Sequence, residues 1–261
     1  VHPESLEKVT AFVSAYLAEL AGTPLRILEV GSRTVLGQEA AYRAGVADPA
    51  WTYCGLDVEA GPNVDLVVTN PYVWTEVATG DVDVVLCASV LEHVPYFWMT
   101  VLEIARVLRP GGIAVIVAPS VGPPHRFPVD AWRFQVDGLP TLATYLDFEV
   151  LDAFVDTGRG LWADAILVVR KPIGDAAADA RLRDRVTAQR RALDPDAPAA
   201  APGPPSVRPS PLAAVSGGRL GPVLEARRAA DLADRAAAAR RERRCWRTRV
   251  RRALSALLAR P

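Results

Sequence analysis

Three cysteines and a single methionine in 261 residues leave no room for a disulfide framework or a thiolate metal cluster. Cys54, Cys87 and Cys245 show no ligand spacing, and the first two lie inside apolar runs that read as core strands. A reduced, cytoplasmic protein is expected. No run is long and apolar enough for a membrane span. The uncharged stretch from Gly111 to Gly122 falls far short of the roughly 20 apolar residues a bilayer requires, and Glu4, Glu7, Lys8 and Glu19 interrupt the N-terminal apolar positions, so no leader is expected.

Net charge is also missing, but only in the sum. Residues 1–173 hold 11 Lys and Arg against 21 Asp and Glu, net −10, whereas residues 174–261 hold 19 against 9, net +10. The acidic body argues against nucleic acid as a partner. Beyond Pro172 the composition turns to Ala, Pro, Arg and Asp, with seven prolines between Pro195 and Pro211. Three parts are therefore expected: a folded domain over 1–173, a Pro/Ala-rich linker over 174–218 and a basic helical tail over 219–261. In the tail Trp246, Val250, Leu254, Leu257 and Leu258 form one helical stripe among arginines, a pattern suited to peripheral contact with an anionic membrane face or with a protein partner.

Within the body, apolar runs and turn signals alternate. Leu6, Val9, Phe12, Val13, Tyr16, Leu17 and Leu20 recur at helical spacing, and Gly22-Thr23-Pro24 stops that helix. Strands are predicted over 25–30, 51–57, 64–68, 83–89 and 113–118, with helices over about 37–45, 72–79 and 96–108 between them. Two further runs, 148–154 and 161–169, flank Asp156-Thr157-Gly158-Arg159-Gly160, a hairpin signal placing an antiparallel strand at the sheet's edge. The whole reads as an α/β, Rossmann-like, seven-stranded, mostly parallel sheet.

The first strand ends in Glu29-Val30-Gly31-Ser32 and the second in Asp57, so a carboxylate, a glycine and a second carboxylate arrive at the rim where open α/β sheets bind ligands. A carboxylate closing the second strand can accept hydrogen bonds from both ribose hydroxyls. A dinucleotide is excluded by another shortage. The loop Gly31-Ser32-Arg33-Thr34-Val35-Leu36-Gly37 lacks the closely spaced glycines that a pyrophosphate requires.

Taken with the 83–89 strand running into Leu91-Glu92-His93-Val94, and with Leu108-Arg109-Pro110-Gly111-Gly112 before the next strand, these motifs resemble the class I S-adenosylmethionine-dependent methyltransferases, nearest the ubiquinone-pathway and sugar-tailoring group. The likeness runs from about Leu25 to Arg170 and includes Pro124-His125-Arg126-Phe127-Pro128-Val129-Asp130-Ala131-Trp132-Arg133; Arg33 and Val35 depart from the family glycines. The resemblance implies S-adenosyl-L-methionine as cofactor, with Glu29 toward the methionine amino group, Gly31 and Ser32 in the loop, and Asp57 on the ribose. It also implies Val58 and Asn70 at the adenine and the Cys87–Ala88 backbone beside the methionine moiety.

For chemistry, His125, His93 and Asp130 are the candidate bases, since a hydroxyl acceptor needs a proton removed. Glu92 reads as a helix-start residue. A lone imidazole at His93, without a carboxylate cluster, predicts no metal. Trp98, Trp132 and Arg133 suit a wall against a sugar or an aromatic ring. The expected activity is O-methylation of a small-molecule or glycan acceptor, as in natural-product tailoring. The alternative is a catalytically silent cofactor-binding scaffold acting through its basic tail.

Overall fold

The computed structural model describes residues 3–34, 42–158, 161–193, 218–235 and 237. The chain divides into two compact units, Val1–Leu220 and Gly221–Pro261. In the second, residues 221–235 are helical, and the expected stripe around Trp246 lies outside the described residues.

The first unit is built on seven strands: β1 (Leu25–Val30), β2 (Trp51–Asp57), β3 (Leu66–Val67), β4 (Val82–Ala88), β5 (Leu108–Val121), β6 (Glu149–Asp156) and β7 (Ala163–Arg170). Their order across the sheet is β3-β2-β1-β4-β5-β7-β6, with every pairing parallel except those made by β7. The expected hairpin joins β6 and β7, and β7 sits one place in from the edge with β6 outside it. Central strands are apolar on both faces because helices cover both, which is why β4 and β5 read as continuous Val, Ile, Leu and Ala runs. The strand order reverses between β1 and β4. In a parallel sheet the two crossovers then leave opposite faces, and a crevice opens beyond the carboxyl ends of those strands.

Helix α1 (Pro3–Phe12) is followed by a wider turn over Val13–Leu17 and a tighter one over Ala18–Leu20, so the predicted N-terminal helix loosens towards its end. Val9, Phe12 and Leu17 of its apolar stripe are fully buried. Helix α2 (Phe97–Val107) matches the prediction within a residue at each end. Where a helix was expected over 72–79 there are turns instead. Asn70 Oδ1 accepts the Tyr72 N–H at 2.8 Å, Trp74 is buried with its indole N–H on Pro71 O at 3.2 Å, and Glu103 Oε2 takes the Trp74 backbone N–H at 2.8 Å. Side chains satisfy the backbone there, so a helix is unnecessary. Of the helix expected over 37–45, only a single turn at Tyr42–Gly45 falls in the described residues.

Two helices were not predicted. Helix α3 (Gly138–Leu146) buries Leu139, Ala143 and Leu146 at helical spacing, a signal obscured by Gly138 and Pro140 in its first turn. The larger correction is α4 (Ala176–Leu193), which takes up the first part of the stretch expected as linker. Arginines and aspartates dominate its sequence, but Ala178, Leu182, Val186 and Gln189 are buried on one side, and Gln189 Nε2 donates to Tyr72 O and Met99 O at 2.9 and 3.0 Å. The folded unit therefore extends past Pro172. Within that unit the chain returns at Leu220, whose N–H donates to Asp152 Oδ2 at 2.9 Å, the same oxygen that accepts the Tyr16 hydroxyl.

Candidate active site

Register fixes the rim. Glu29 lies opposite Gly55 and Val30 opposite Leu56 on one side, and Val30 lies opposite Cys87 on the other, so the ends of β2, β1 and β4 stand side by side. A cleft of about 590 Å³ opens there, bordered by Gly31, Arg33, Asp57, Val58, Ala88, His93 and His125 among others.

The loop after β1 turns at once. The Gly31 and Ser32 N–H groups both donate to Leu56 O, at 2.8 and 3.1 Å, and Gly31 adopts φ +71°, in the left-handed region. A Cβ at Gly31 would stand 2.4 Å from a methyl of Val90. Asp57 is partly exposed in the cleft. Its Oδ2 accepts the Arg33 N–H at 2.9 Å and Oδ1 accepts the Glu59 N–H at 3.2 Å, so the backbone orients the carboxylate while leaving lone pairs for a ligand. Val58, 48% exposed, presents an apolar face beside it. Arg33 stands where the resemblance led one to expect glycine. Its stem lies over Gly61 and its guanidinium pairs with Glu59, so the longer side chain is accommodated because Gly61 has no Cβ.

Glu29 is 1% exposed. Asn63 Nδ2 is 3.4 Å from Glu29 Oε2 and donates to Ser32 O at 2.9 Å, while Glu29 Oε1 has no hydrogen-bond partner. Burial pushes its carboxyl up to about 8, against the smaller opposing effects of the Asn63 hydrogen bond and the charge of Arg43. Asn63, a residue with φ +69°, was not singled out from sequence, and only its Asn-in-a-turn character hinted at it.

Three implied cofactor contacts are not brought to the cleft as side chains. Ser32 is buried against Gly55, Cys87 is fully buried in β4 with its thiol pushed upward by desolvation, and the Asn70 carboxamide closes its own turn. Only Cys87's backbone and its neighbour Ala88 remain near the rim.

At the other end of the cleft the loop after β5 meets the turn after β4. Ala131 N–H donates to Glu92 O at 2.7 Å and Trp132 Nε1–H to Pro95 O at 3.1 Å, locking the two segments together. Trp132 packs edge-on to Phe97 and Trp98. Asp130 is not a free base. Arg133 grips both its oxygens, at 2.5 and 2.8 Å, Oδ2 also accepts the His125 N–H at 2.8 Å, and the guanidinium holds the carboxyl well below the usual carboxylate range. It orients the loop that carries His125.

His93 and His125 meet edge to face, with ring centroids 4.8 Å apart, and Trp162 packs against His125 at 4.9 Å. Both Nε2 atoms approach Glu92 Oε1, at 3.6 Å for His93 and 3.7 Å for His125, and Glu92 raises the His125 pKa. No metal was expected because His93 was taken as a lone imidazole; the fold supplies a second one 32 positions on, together with a buried carboxylate.

Residues 28–116, which include both strand-end carboxylates and the Leu91-Glu92-His93 turn, match the family model of a methyltransferase domain. The matched segment is about a third of the chain, and over it the chain is similar to methyltransferases. An uncharacterised methyltransferase of Mycobacterium sp. (strain JLS) is 36% identical over 97 residues, covering 33% of this chain and 38% of that one; another, of Mycobacterium avium (strain 104), is 30% identical over 103 residues, covering 34% and 38%. The match thus spans well under half the length of these curated relatives. Among solved structures, the 1,6-didemethyltoxoflavin N1-methyltransferase of Burkholderia thailandensis, solved with S-adenosylhomocysteine, superposes with a TM-score of 0.51 at 16% identity over 65% of this chain and 79% of its own. The [4+2]-cyclase SpnF superposes equally well, TM-score 0.51 at 19% identity over 64% and 82%. At such identities the likeness establishes the methyltransferase fold and no acceptor.

Proposed function

We propose that this chain transfers a methyl group from S-adenosylmethionine to an oxygen of a small-molecule or sugar acceptor. The observation that supports the reading is one cleft bordered by Gly31, Asp57 and Val58 towards one end and by the paired imidazoles of His93 and His125 towards the other, with Glu29 buried at the end of β1. The residues fit the cofactor. Asp57 offers lone pairs to ribose hydroxyls, Val58 an apolar face to a purine, and the bare Cα of Gly31 lets the loop approach closely. Glu29, buried with one oxygen unbonded, suits an ammonium group.

The sulfonium supplies the electrophilic methyl group and the leaving group. What remains for the protein is orientation, a contribution of up to ~7–11 kcal/mol when the reacting atoms are held in line, and removal of the acceptor proton. The rigid strand ends serve the first task. The imidazoles, which border the cleft, serve the second. Assaying labelled S-adenosylmethionine against panels of hydroxylated glycosides, phenols, amines and carbon acids tests the reading. Label appearing on oxygen supports it, and label on nitrogen or carbon alone overturns the acceptor assignment.

A pH dependence follows from Glu29. Protonated below about pH 8 when the cleft is free, it must ionise to pair with an ammonium group, so binding releases a proton. Affinity for S-adenosylmethionine is expected to rise about tenfold per pH unit between about pH 5.5 and 7.5, where the ligand's amino group stays charged. Arg43 and Asp57 also act on Glu29, the first favouring its charged form and the second opposing it. Calorimetry on Glu29→Gln should show a flat profile; a flat profile in the unsubstituted protein would remove Glu29 from the ammonium site.

A further inference from the structure

In a body that carries 21 acidic against 11 basic side chains over residues 1–173, a cation has no shortage of carboxylates to meet. Nearly every one is engaged. Among the described residues Arg26, Arg33, Arg43, Arg106, Arg109, Arg133 and Arg170 each pair with a carboxylate, Lys8 lies between Asp156 and Asp164, and Lys171 donates to Ala105 O and Leu108 O. Arg126 is the exception. It is exposed, its guanidinium makes no ion pair or hydrogen bond among the described residues, and it borders the cleft together with His125, Phe127 and Pro128.

The carboxylates of this loop and of the turn facing it are already committed or enclosed. Arg133 takes both oxygens of Asp130, and Glu92 is 1% exposed. The backbone on each side of Arg126 is also held: His125 N–H donates to Asp130 Oδ2 at 2.8 Å, Phe127 N–H to Val129 O at 3.3 Å, and Ala131 N–H ties the loop to Glu92 O at 2.7 Å. The guanidinium therefore extends from a fixed base, one residue from the imidazole placed to take the acceptor's proton. Its paired N–H donors match the oxygens of a carboxylate or a phosphate, and such charge-assisted bonds are about twice as strong as neutral ones.

We propose that Arg126 binds an anionic group of the acceptor, a carboxylate or a phosphate, so that the substrate is an acidic hydroxy compound. This rests on the reading of the cleft as a methyl-transfer site with its acceptor at the imidazole end. An anion on Arg126 and a hydroxyl at His125 hold the acceptor at two neighbouring points, which fixes the orientation that in-line transfer needs. The body's charge sharpens the contact. With net −10 over residues 1–173 the surrounding field disfavours anions, so general attraction does not retain such an acceptor and a local cation is required.

The test uses matched probes on the full chain saturated with S-adenosylhomocysteine: methyl glucoside against methyl glucuronide and methyl glucoside 6-phosphate, and phenol against 4-hydroxybenzoate and 4-hydroxyphenyl phosphate. Calorimetry measures their binding to the unsubstituted protein, to Arg126→Gln and to Arg126→Lys, and thermal unfolding checks that these exposed substitutions leave the fold intact. In at least one series an anionic probe is expected to bind at least about tenfold more tightly than its uncharged parent, a preference that falls to within about twofold in Arg126→Gln and is partly kept in Arg126→Lys. The carboxylate and phosphate arms show which anion is taken. Equal binding of charged and uncharged probes by the unsubstituted protein, or a preference that survives in Arg126→Gln, would overturn the inference. An anion preference abolished in Arg126→Gln, with no label reaching oxygen in any acceptor, would instead count against the proposed methyl transfer and leave the anion site standing.

Discussion

His125→Ala is expected to lower the turnover of methyl transfer by about 10²–10⁴-fold while leaving affinity for S-adenosylmethionine essentially unchanged. The ring lies at the acceptor end, against His93, Trp162 and Glu92, and none of the groups that hold Asp57 or Gly31 touches it. With the imidazole placed to take the acceptor's proton, its removal affects the chemical step. The loop should survive the change, because Asp130 holds it through the residue 125 backbone N–H and through Arg133. Single-turnover kinetics beside calorimetry separate the two quantities. Equal losses in turnover and in cofactor affinity would make His125 a structural support.

A second large effect is expected at the opposite end. Gly31→Ala should destabilise the protein by about 2–5 kcal/mol and reduce cofactor affinity sharply. Roughly 1–2 kcal/mol comes from forcing a side chain into the left-handed region, and about 1–3 from the crowding at Val90. The two contributions can be told apart. Adding Val90→Ala should relieve the steric part and leave the backbone part, a coupling that a double-mutant cycle in denaturant unfolding would measure. A Gly31→Ala variant as stable as the parent would contradict the loop geometry on which the cofactor site depends.

Features set by local pattern were legible in the sequence. Strand-end carboxylates at Glu29 and Asp57, the glycine after β1 and the apolar runs of β4 and β5 follow from the period of a buried strand and from the chemistry of a sheet's rim, and the structure brings Gly31, Asp57 and Val58 to one cleft. Features decided by tertiary packing were not legible. Helix α4 is polar on most of its surface, and only its burial of Leu182 and Val186 reveals it as part of the domain. Asp130 looked like a base because Arg133, three residues on, can equally be read as part of a substrate wall; the fork between them shows otherwise. Glu92 read as a helix-start charge, and its meeting with two imidazoles depends on a loop more than 30 residues downstream, at His125. Ser32 and Asn70 were taken from the pattern of the family, and here the Asn70 carboxamide closes its own turn while the Ser32 side chain is buried against Gly55.

Titrating the purified chain with S-adenosylmethionine in a calorimeter, beside Asp57→Ala, tests the central claim most directly. The account predicts one site per chain, weakened in the variant by about 1.5–3 kcal/mol, the loss expected when hydrogen bonds to a charged group are removed. No measurable binding by the unsubstituted protein, or equal affinity in the variant, would contradict it.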